Sequence, residues 1–334
     1  MNKKLRWGIL STAKIGIKAV IPAIKQSNNG EVAAIASRRM ETALEVAKSL
    51  DIPRAFGSYE ELLESREVDA VYIPLPNNLH KEWAVRAAEH GKHILCEKPF
   101  ALNAAEVDEM ISAAQKNHVL LMEAFMYRFH PQFAKLKSMI ADGTIGNLQI
   151  IRSAFCFRLQ DPHNIRLNTE LGGGALMDVG CYCVNMSRLV AGAEPLEVEA
   201  IALTGKSGVD ETLIGILRFP DDVTAHFDCS FRTDYREWLE VQGTARRMDL
   251  PRPIKPGTRS AEIFLRYDEN DHTSPESSLI MAPAANHYRL MVQQFAQAAL
   301  EGKDLPYPPE DGRANMRVID ALFESARTGR SVRI

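Results

Sequence analysis

The sequence predicts an α/β protein of two domains: a doubly wound parallel sheet in residues 1–125, then an α+β domain with one open, mostly antiparallel sheet in residues 126–334. Three observations carry this. At 334 residues the chain exceeds the usual size of one hydrophobic core. From Leu5 to Ala124 short β-rich runs alternate with amphipathic helical stretches, the order that covers both faces of a parallel sheet with helices. After Pro131 the rhythm changes to longer β-like runs with few helices between them.

Taken in order, strands are expected at Leu5–Leu10, Val32–Ser37, Ala70–Ile73, His93–Cys96 and Leu120–Ala124, with a weaker one at Ala55–Phe56. Helices fit between them at Ile15–Gln26, Glu41–Leu50, Ser58–Ser65, Leu79–His90 and Asn103–Lys116. Ser58 and Asn103 stand where N-caps belong, each with a glutamate three residues on, Glu61 and Glu106. This is the pattern of a Rossmann nucleotide-binding domain. In the second part, β-like runs occupy Leu148–Phe157, Leu196–Thr204, Glu211–Phe219, Val223–Phe231 and Trp238–Gln242, and short turns such as Pro220-Asp221-Asp222 favour antiparallel neighbours. Helices at Ala284–Leu300 and Arg313–Thr328 close the chain, while Pro251–Gly257 lacks either period and reads as a surface loop.

Composition excludes several classes of function. With 46% hydrophobic and 25% charged residues the chain is an ordinary globular one, and a net charge of -3 gives no basic field for nucleic acid or an anionic membrane. The basic start, Met1 to Gly8, lacks the apolar run of a signal peptide, and no segment reaches the roughly 18 apolar residues of a membrane helix, so a cytoplasmic location is expected. Five scattered cysteines, Cys96, Cys156, Cys181, Cys183 and Cys229, argue for reduced thiols rather than a disulfide framework. The nine histidines show no His-Glu-x-x-His pattern and the cysteines no zinc spacing, so no metal site is expected and a zinc-dependent alcohol dehydrogenase is disfavoured.

Directly after the first strand comes Gly8-Ile9-Leu10-Ser11-Thr12-Ala13-Lys14-Ile15-Gly16. In the G-x-G-x-x-G dinucleotide turn, small residues allow a tight bend and close approach of pyrophosphate to a helix N-terminus. Ser11, Ala13 and Gly16 hold those three positions here, which places Ser11, Thr12, Ala13, Lys14 and Ile15 against a cofactor. The second strand ends in Ser37-Arg38-Arg39 and not in the acidic residue that accepts bonds from a ribose. A guanidinium there pairs with a 2'-phosphate, so Ser37 and Arg38 point to NADP, with NAD as the other nucleotide the turn could take.

Two further segments carry chemistry. Cys96-Glu97-Lys98-Pro99 sets a lysine beside a carboxylate at the sheet edge where open α/β proteins bind ligands. Gly172-Gly173-Gly174 gives a backbone able to pass close to a ligand, and behind it Asp178 and Tyr182, four apart, would share one helix face.

Together with Asp69-Ala70-Val71-Tyr72-Ile73-Pro74-Leu75-Pro76-Asn77-Asn78-Leu79-His80 and the Asp311–Leu322 ending, these blocks resemble the Gfo/Idh/MocA oxidoreductases over nearly the whole chain. The resemblance implies Lys98 and Tyr182 in the active site, Asp178, His163, Asn164 and Arg166 on the substrate side, and Leu75, Asn77, His80, Glu97 and Lys98 along the cofactor. Tyr182 stands where inositol dehydrogenases of the family carry histidine. It is more similar to the branch of glucose-fructose oxidoreductase, NADP-dependent xylose dehydrogenase and dihydrodiol dehydrogenase. Asn164-Ile165-Arg166 departs from the common Asn-Trp-Arg. The function implied is hydride transfer between NADP(H) and a carbinol or carbonyl carbon of a small polyhydroxylated substrate, a sugar. In it Tyr182 exchanges the hydroxyl proton, Lys98 favours the tyrosinate, and Asp178 orients the substrate. The alternative is a non-catalytic NADP-binding sensor of the same fold. A homodimer or homotetramer is expected, because the open sheet of the second domain needs cover on its free face.

Overall fold

A computed structural model describes residues 3–267 and 277–334. By contacts the chain divides into one unit of residues 1–126 with 286–316, and another of residues 127–285 with 317–334. The division read from the sequence, at 125/126, placed residues 286–316 with the second part.

In the first unit, β1 (Leu5–Leu10) leads to α1 (Ile21–Lys25), β2 (Gly30–Ala36), α2 (Met40–Ser49), β3 (Arg54–Phe56), α3 (Tyr59–Glu64), β4 (Ala70–Ile73), α4 (His80–Glu89), β5 (His93–Cys96), α5 (Ala104–Lys116) and β6 (Leu121–Glu123). The six strands pair in parallel in the order β3-β2-β1-β4-β5-β6. The order reverses between β1 and β4, so the carboxyl ends of these strands flank the crevice where open α/β sheets bind ligands. Burial on both faces explains the continuous apolar runs: Ile9, Leu10, Val71, Tyr72, Ile73, Ile94 and Leu95 are wholly buried.

Both expected caps form. Ser58 Oγ accepts from Glu61 N at 3.1 Å and Asn103 Oδ1 from Glu106 N at 3.0 Å. The two glutamates reach back one residue further than in a strict capping box, to Gly57 N and Leu102 N. The first helix differs from expectation, because Gly16–Val20 is a π-helical turn and α-helix follows only at α1. Pro22 lies at the start of α1 and has no N–H to give to the preceding turn, which loosens the i→i−4 ladder there.

The second unit opens with α6 (Pro131–Ala141), followed by β7 (Leu148–Cys156), α7 (Cys181–Ala191), β8 (Glu197–Thr204), β9 (Asp210–Arg218), β10 (Thr224–Ser230), β11 (Arg236–Gly243), β12 (Arg247–Leu250), β13 (Ala261–Arg266) and β14 (Ser277–Ala282). After these in the chain come α8 (His287–Glu301), which belongs to the first unit, α9 (Pro309–Thr328), which begins in the first unit and ends in the second, and β15 (Val332–Arg333) of the second unit. The sheet order is β14-β13-β12-β11-β7-β10-β9-β8-β15, with β7 and β10 parallel and the other pairs antiparallel. This is the open, mostly antiparallel sheet the sequence predicts, longer by the short strands β12 to β15.

Helix α7 packs on β7 and β10. The opposite face is open and carries Ile201, 76% exposed, with Ile214 beside it in register and Leu203 and Ile216 nearby. The Pro251–Gly257 segment is a loop, as expected, with Pro251, Arg252, Lys255 and Gly257 exposed, but its middle is anchored to the body. Pro253, Ile254 and Pro256 are buried, Gln132 Nε2 donates to Pro253 O at 2.8 Å, and Glu237 Oε2 accepts from Lys255 N at 2.9 Å. Satisfying these backbone groups is what lets an irregular segment stay buried. Among the described residues no helix is long and apolar enough to cross a membrane.

Candidate active site

The residues expected along the cofactor lie in the first unit. Ser11, in the place of the first glycine of the dinucleotide turn, takes φ +137, a backbone region that favours glycine. Its hydroxyl stabilises that turn by donating to Pro74 O at 3.1 Å and accepting from Ala13 N at 3.2 Å. The bond joins the ends of β1 and β4 across the switch point. Thr12, Ala13 and Ile15 are half-buried and Lys14 is exposed, so the turn presents small residues to solvent. At the end of β2, Ser37 N donates to Phe56 O at 3.1 Å and Arg38 is exposed. The Arg38 charge works against the upward push that burial gives the Tyr59 phenol, which places the guanidinium on the α3 side of this edge.

His80 is wholly buried, with Nδ1 2.9 Å from Pro99 O and Nε2 2.9 Å from Leu75 O. Burial, joined by the Lys98 charge, brings its pKa down to about 4. At neutral pH the ring therefore carries one N–H, donated to one carbonyl at a time. The ring ties the Leu75–His80 segment to the Lys98-Pro99 turn, whose peptide bond is cis. Leu75 is 8% exposed and Asn77 half-buried. Glu97 accepts from Tyr72 Oη at 2.6 Å and from the Lys98 backbone N–H at 3.3 Å. The Tyr288 phenol is pushed up by burial and further by the Glu97 charge, so this residue from α8 lies near Glu97.

The residues expected on the substrate side, with Tyr182, lie in the second unit. Arg166 Nε donates to Asp178 Oδ2 at 2.6 Å, and Asn164 Oδ1 accepts from the Arg166 backbone N–H at 3.2 Å. Asp178 holds the guanidinium pKa above its usual value, and the Tyr182 phenol acts in the same direction, so Asn164, Arg166, Asp178 and Tyr182 form one group. His163 is exposed, and its backbone N–H donates to Asp161 Oδ1 at 2.9 Å. Tyr182 is 5% exposed and packs on Tyr127 and Phe155, with ring centroids 6.0 and 5.6 Å away. Phe155 in turn meets Tyr235, and Phe157 meets Phe231 and lies under the Arg166 guanidinium. Sequence reading missed this aromatic wall because its members come from separate segments of the chain and show no common spacing.

Two expectations about this segment change. Residues Leu176–Gly180 form a π-helical turn before α7, so the shared face of Asp178 and Tyr182 does not rest on simple α-helical i,i+4 spacing. Two of the three glycines make close approaches to other parts of the chain. A Cβ on Gly173 would fall 2.4 Å from Arg166 O, and one on Gly174, at φ +122, would fall 2.1 Å from Asp210 Oδ1. Asp210, on β9, is a functional candidate the sequence did not reveal. Among the described residues no cluster of His, Cys, Asp and Glu could hold a metal ion.

Residues 5–125 match the model of the oxidoreductase family with an NAD-binding Rossmann fold, and residues 133–249 that of the GFO/IDH/MocA C-terminal domain. D-xylose 1-dehydrogenase (NADP(+)) 2 of Haloferax volcanii is 40% identical over 331 residues, 99% of this chain and 100% of that protein. A trans-1,2-dihydrobenzene-1,2-diol dehydrogenase of Xenopus tropicalis is 38% identical over 91% of this chain and 99% of its own. Among solved structures, a 3-ketoreductase from Actinomadura kijaniata in complex with NADP and TDP-benzene superposes with a TM-score of 0.91 at 30% identity, covering 97% of this chain and 98% of its own. Matches to both domain models, and relatives aligned nearly end to end, show that this chain is an oxidoreductase belonging to the GFO/IDH/MocA family.

Proposed function

We propose that the protein transfers a hydride between NADP(H) and a carbinol or carbonyl carbon of a small polyhydroxylated substrate, a sugar of the aldose or ketosugar class. The observation that carries this reading is the group Asn164-Arg166-Asp178-Tyr182, a phenol beside an ion pair and an aromatic wall. A relative aligned over 99% of the chain acts on D-xylose with NADP(+), according to its name.

The chain's own residues fit the cofactor. The hydroxyl-braced turn Ser11–Ile15 offers small residues to a pyrophosphate, and Ser37 with exposed Arg38 offers a hydroxyl and a cation to a 2'-phosphate. Leu75, Asn77, Glu97 and Lys98 line the same edge, and His80 holds it from beneath. The nicotinamide, when bound, supplies or accepts the hydride.

Tyr182 exchanges the substrate hydroxyl proton at Oη. A free tyrosine titrates near 10, so base catalysis near neutrality needs a cation that favours the tyrosinate, and the family resemblance gives that role to Lys98. With one Asp178 oxygen held by Arg166, the ion pair orients substrate as a unit: the guanidinium donates to a sugar oxygen, while the carboxylate fixes its direction. The resemblance also puts His163 and Asn164 on the substrate side. A non-catalytic sensor has no need for a proton donor in this setting.

The same reading includes a cytoplasmic location, supported by five free buried thiols. It also includes a homodimer or homotetramer through the open sheet face, supported by the adjacent exposed Ile201 and Ile214. The deciding experiment for function is a panel of aldoses, ketosugars, inositols and diols with NADP+, followed by NADPH absorbance. Turnover of a sugar is expected; no turnover of any member would overturn the reading.

A further inference from the structure

We propose that Asp210 is a positioning residue of the active site: from β9 its carboxylate caps the head of the helix that carries Asp178 and Tyr182, and so fixes where those two side chains stand. The inference rests on the reading that Tyr182 and Asp178 face substrate.

Three features converge on this carboxylate. Asp210 is 7% exposed, and its Oδ2 accepts from Leu176 N at 2.7 Å, with further bonds from the backbone N–H groups of Ala175 and of Asp210 itself. These are N–H groups that a helix start leaves without partners inside the helix. The chain approaches closely enough only because residue 174 is glycine, since a Cβ there would sit 2.1 Å from Oδ1. The same helix is seated again one turn later, where a Cβ on Gly180 would fall 2.8 Å from Cys229 Sγ on β10. A cap normally comes from the residue preceding the helix; here it comes from a different strand, 34 positions along the chain from Leu176. The helix is thus pinned to the sheet through Asp210, and the pin lies two residues before Asp178.

The capping group also titrates within reach of ordinary buffers. Burial raises the Asp210 carboxyl to about 6, against the pull of the three N–H donors. The charged or titratable groups around it are Glu211, its neighbour on β9, the Cys229 thiol on β10, which the Asp210 charge pushes up, and Asp178 paired with Arg166 at the head of the helix. Above this value a carboxylate accepts the N–H bonds with full charge. Below it a neutral acid accepts more weakly, and the helix head is released.

The test combines spectroscopy with kinetics on the full-length protein. Tyrosine is labelled at Cζ with 13C, and the Tyr182 resonance is assigned by its loss in Tyr182→Phe. In the wild type this resonance should move with a midpoint near 6, and the movement should vanish in Asp210→Asn and in Asp210→Ser, a neutral cap that keeps an acceptor oxygen. With D-xylose and NADP+, kcat of Asp210→Asn should fall roughly tenfold, the scale set by loss of a good cap, with KM for NADP+ unchanged. Its kcat should also lose the wild-type decline below about pH 6. A Tyr182 resonance that is flat through this range in the wild type, or that keeps its midpoint in the variants, overturns the proposal. If the wild type turns over no sugar, the functional reading fails, while the resonance still decides the role of Asp210.

Discussion

The end of β2 offers a sharp test of cofactor choice. Replacing Arg38 by Ala removes an exposed guanidinium from the segment that follows Ala36, where an adenosine ribose meets this fold. A hydrogen bond to a charged group contributes about 1.5–3 kcal/mol when well shielded. Because Arg38 is exposed, solvent and salt screen the pair, and about 1–2 kcal/mol is the appropriate scale, a factor of about 5–30. The loss should fall on NADP+ alone, since the neutral ribose of NAD+ has no phosphate to pair. The assay is kcat/KM for each nucleotide in wild type and Arg38→Ala at one fixed sugar concentration, repeated at low and high salt. The NADP+/NAD+ ratio of the wild type should exceed one and should drop about 5–30-fold in the variant. The wild-type ratio should also shrink in about 1 M salt, where the Debye length is about 3 Å. A wild type that prefers NAD+, or a ratio untouched by the substitution, would refute the assignment of Ser37 and Arg38 to the 2'-phosphate.

Other perturbations follow from the packing. Gly174→Ala combines a Cβ placed 2.1 Å from Asp210 Oδ1 with a φ of +122. It should lower stability by about 2–4 kcal/mol, read as a reduced urea midpoint. Ile201→Asp with Ile214→Asp puts charge on the open sheet face, and light scattering should show a monomer where the wild type shows a dimer or tetramer; a wild-type monomer at working concentration would contradict that assembly. Asp69 pairs with Arg6 at 2.7 and 2.9 Å, and its pKa is lowered by hydrogen bonds and charge from Arg6 that outweigh burial. Its folded pKa is depressed, so this contribution is present above the unfolded value of about 3.9 and is lost as pH falls through the folded value. Asp69→Asn should accordingly flatten part of the acid limb of the stability profile, and an unchanged limb would show that the pair contributes nothing.

The first sheet was legible because its strands are buried on both faces and its helices announce themselves with caps: Ser58 and Asn103 form the bonds their positions foretell. The family was legible because the blocks around Lys98 and Tyr182 are short runs of unusual composition. What escaped lies where local sequence is ambiguous. A five-residue π turn such as Leu176–Gly180 is too short for apolar spacing to separate it from an α-helix. Helix α6 begins at Pro131, and the capping histidine before it is not among the strong N-cap residues. Strands β12 and β15 have only four and two residues, below the length at which alternation registers. Asp210, at the start of a strand, looks like a turn residue; only the fold brings it to Leu176. The Arg166–Asp178 pair was hidden for the same reason, since both residues were expected to face substrate separately.

The central claim is that a hydride passes between the substrate carbinol carbon and the nicotinamide while Tyr182 moves the proton. The most direct measurement uses an aldose turned over by the wild type, deuterated at the carbinol carbon, with NADP+, and reads the label in the reduced nucleotide by mass spectrometry. The account predicts deuterium in NADPH. It also predicts a rate about 10²–10⁴ lower in Tyr182→Phe, whose ring keeps its contacts with Tyr127 and Phe155 and whose cofactor affinity is unchanged. Label lost to water would contradict hydride transfer, and wild-type turnover in Tyr182→Phe would remove this tyrosine from the proton step.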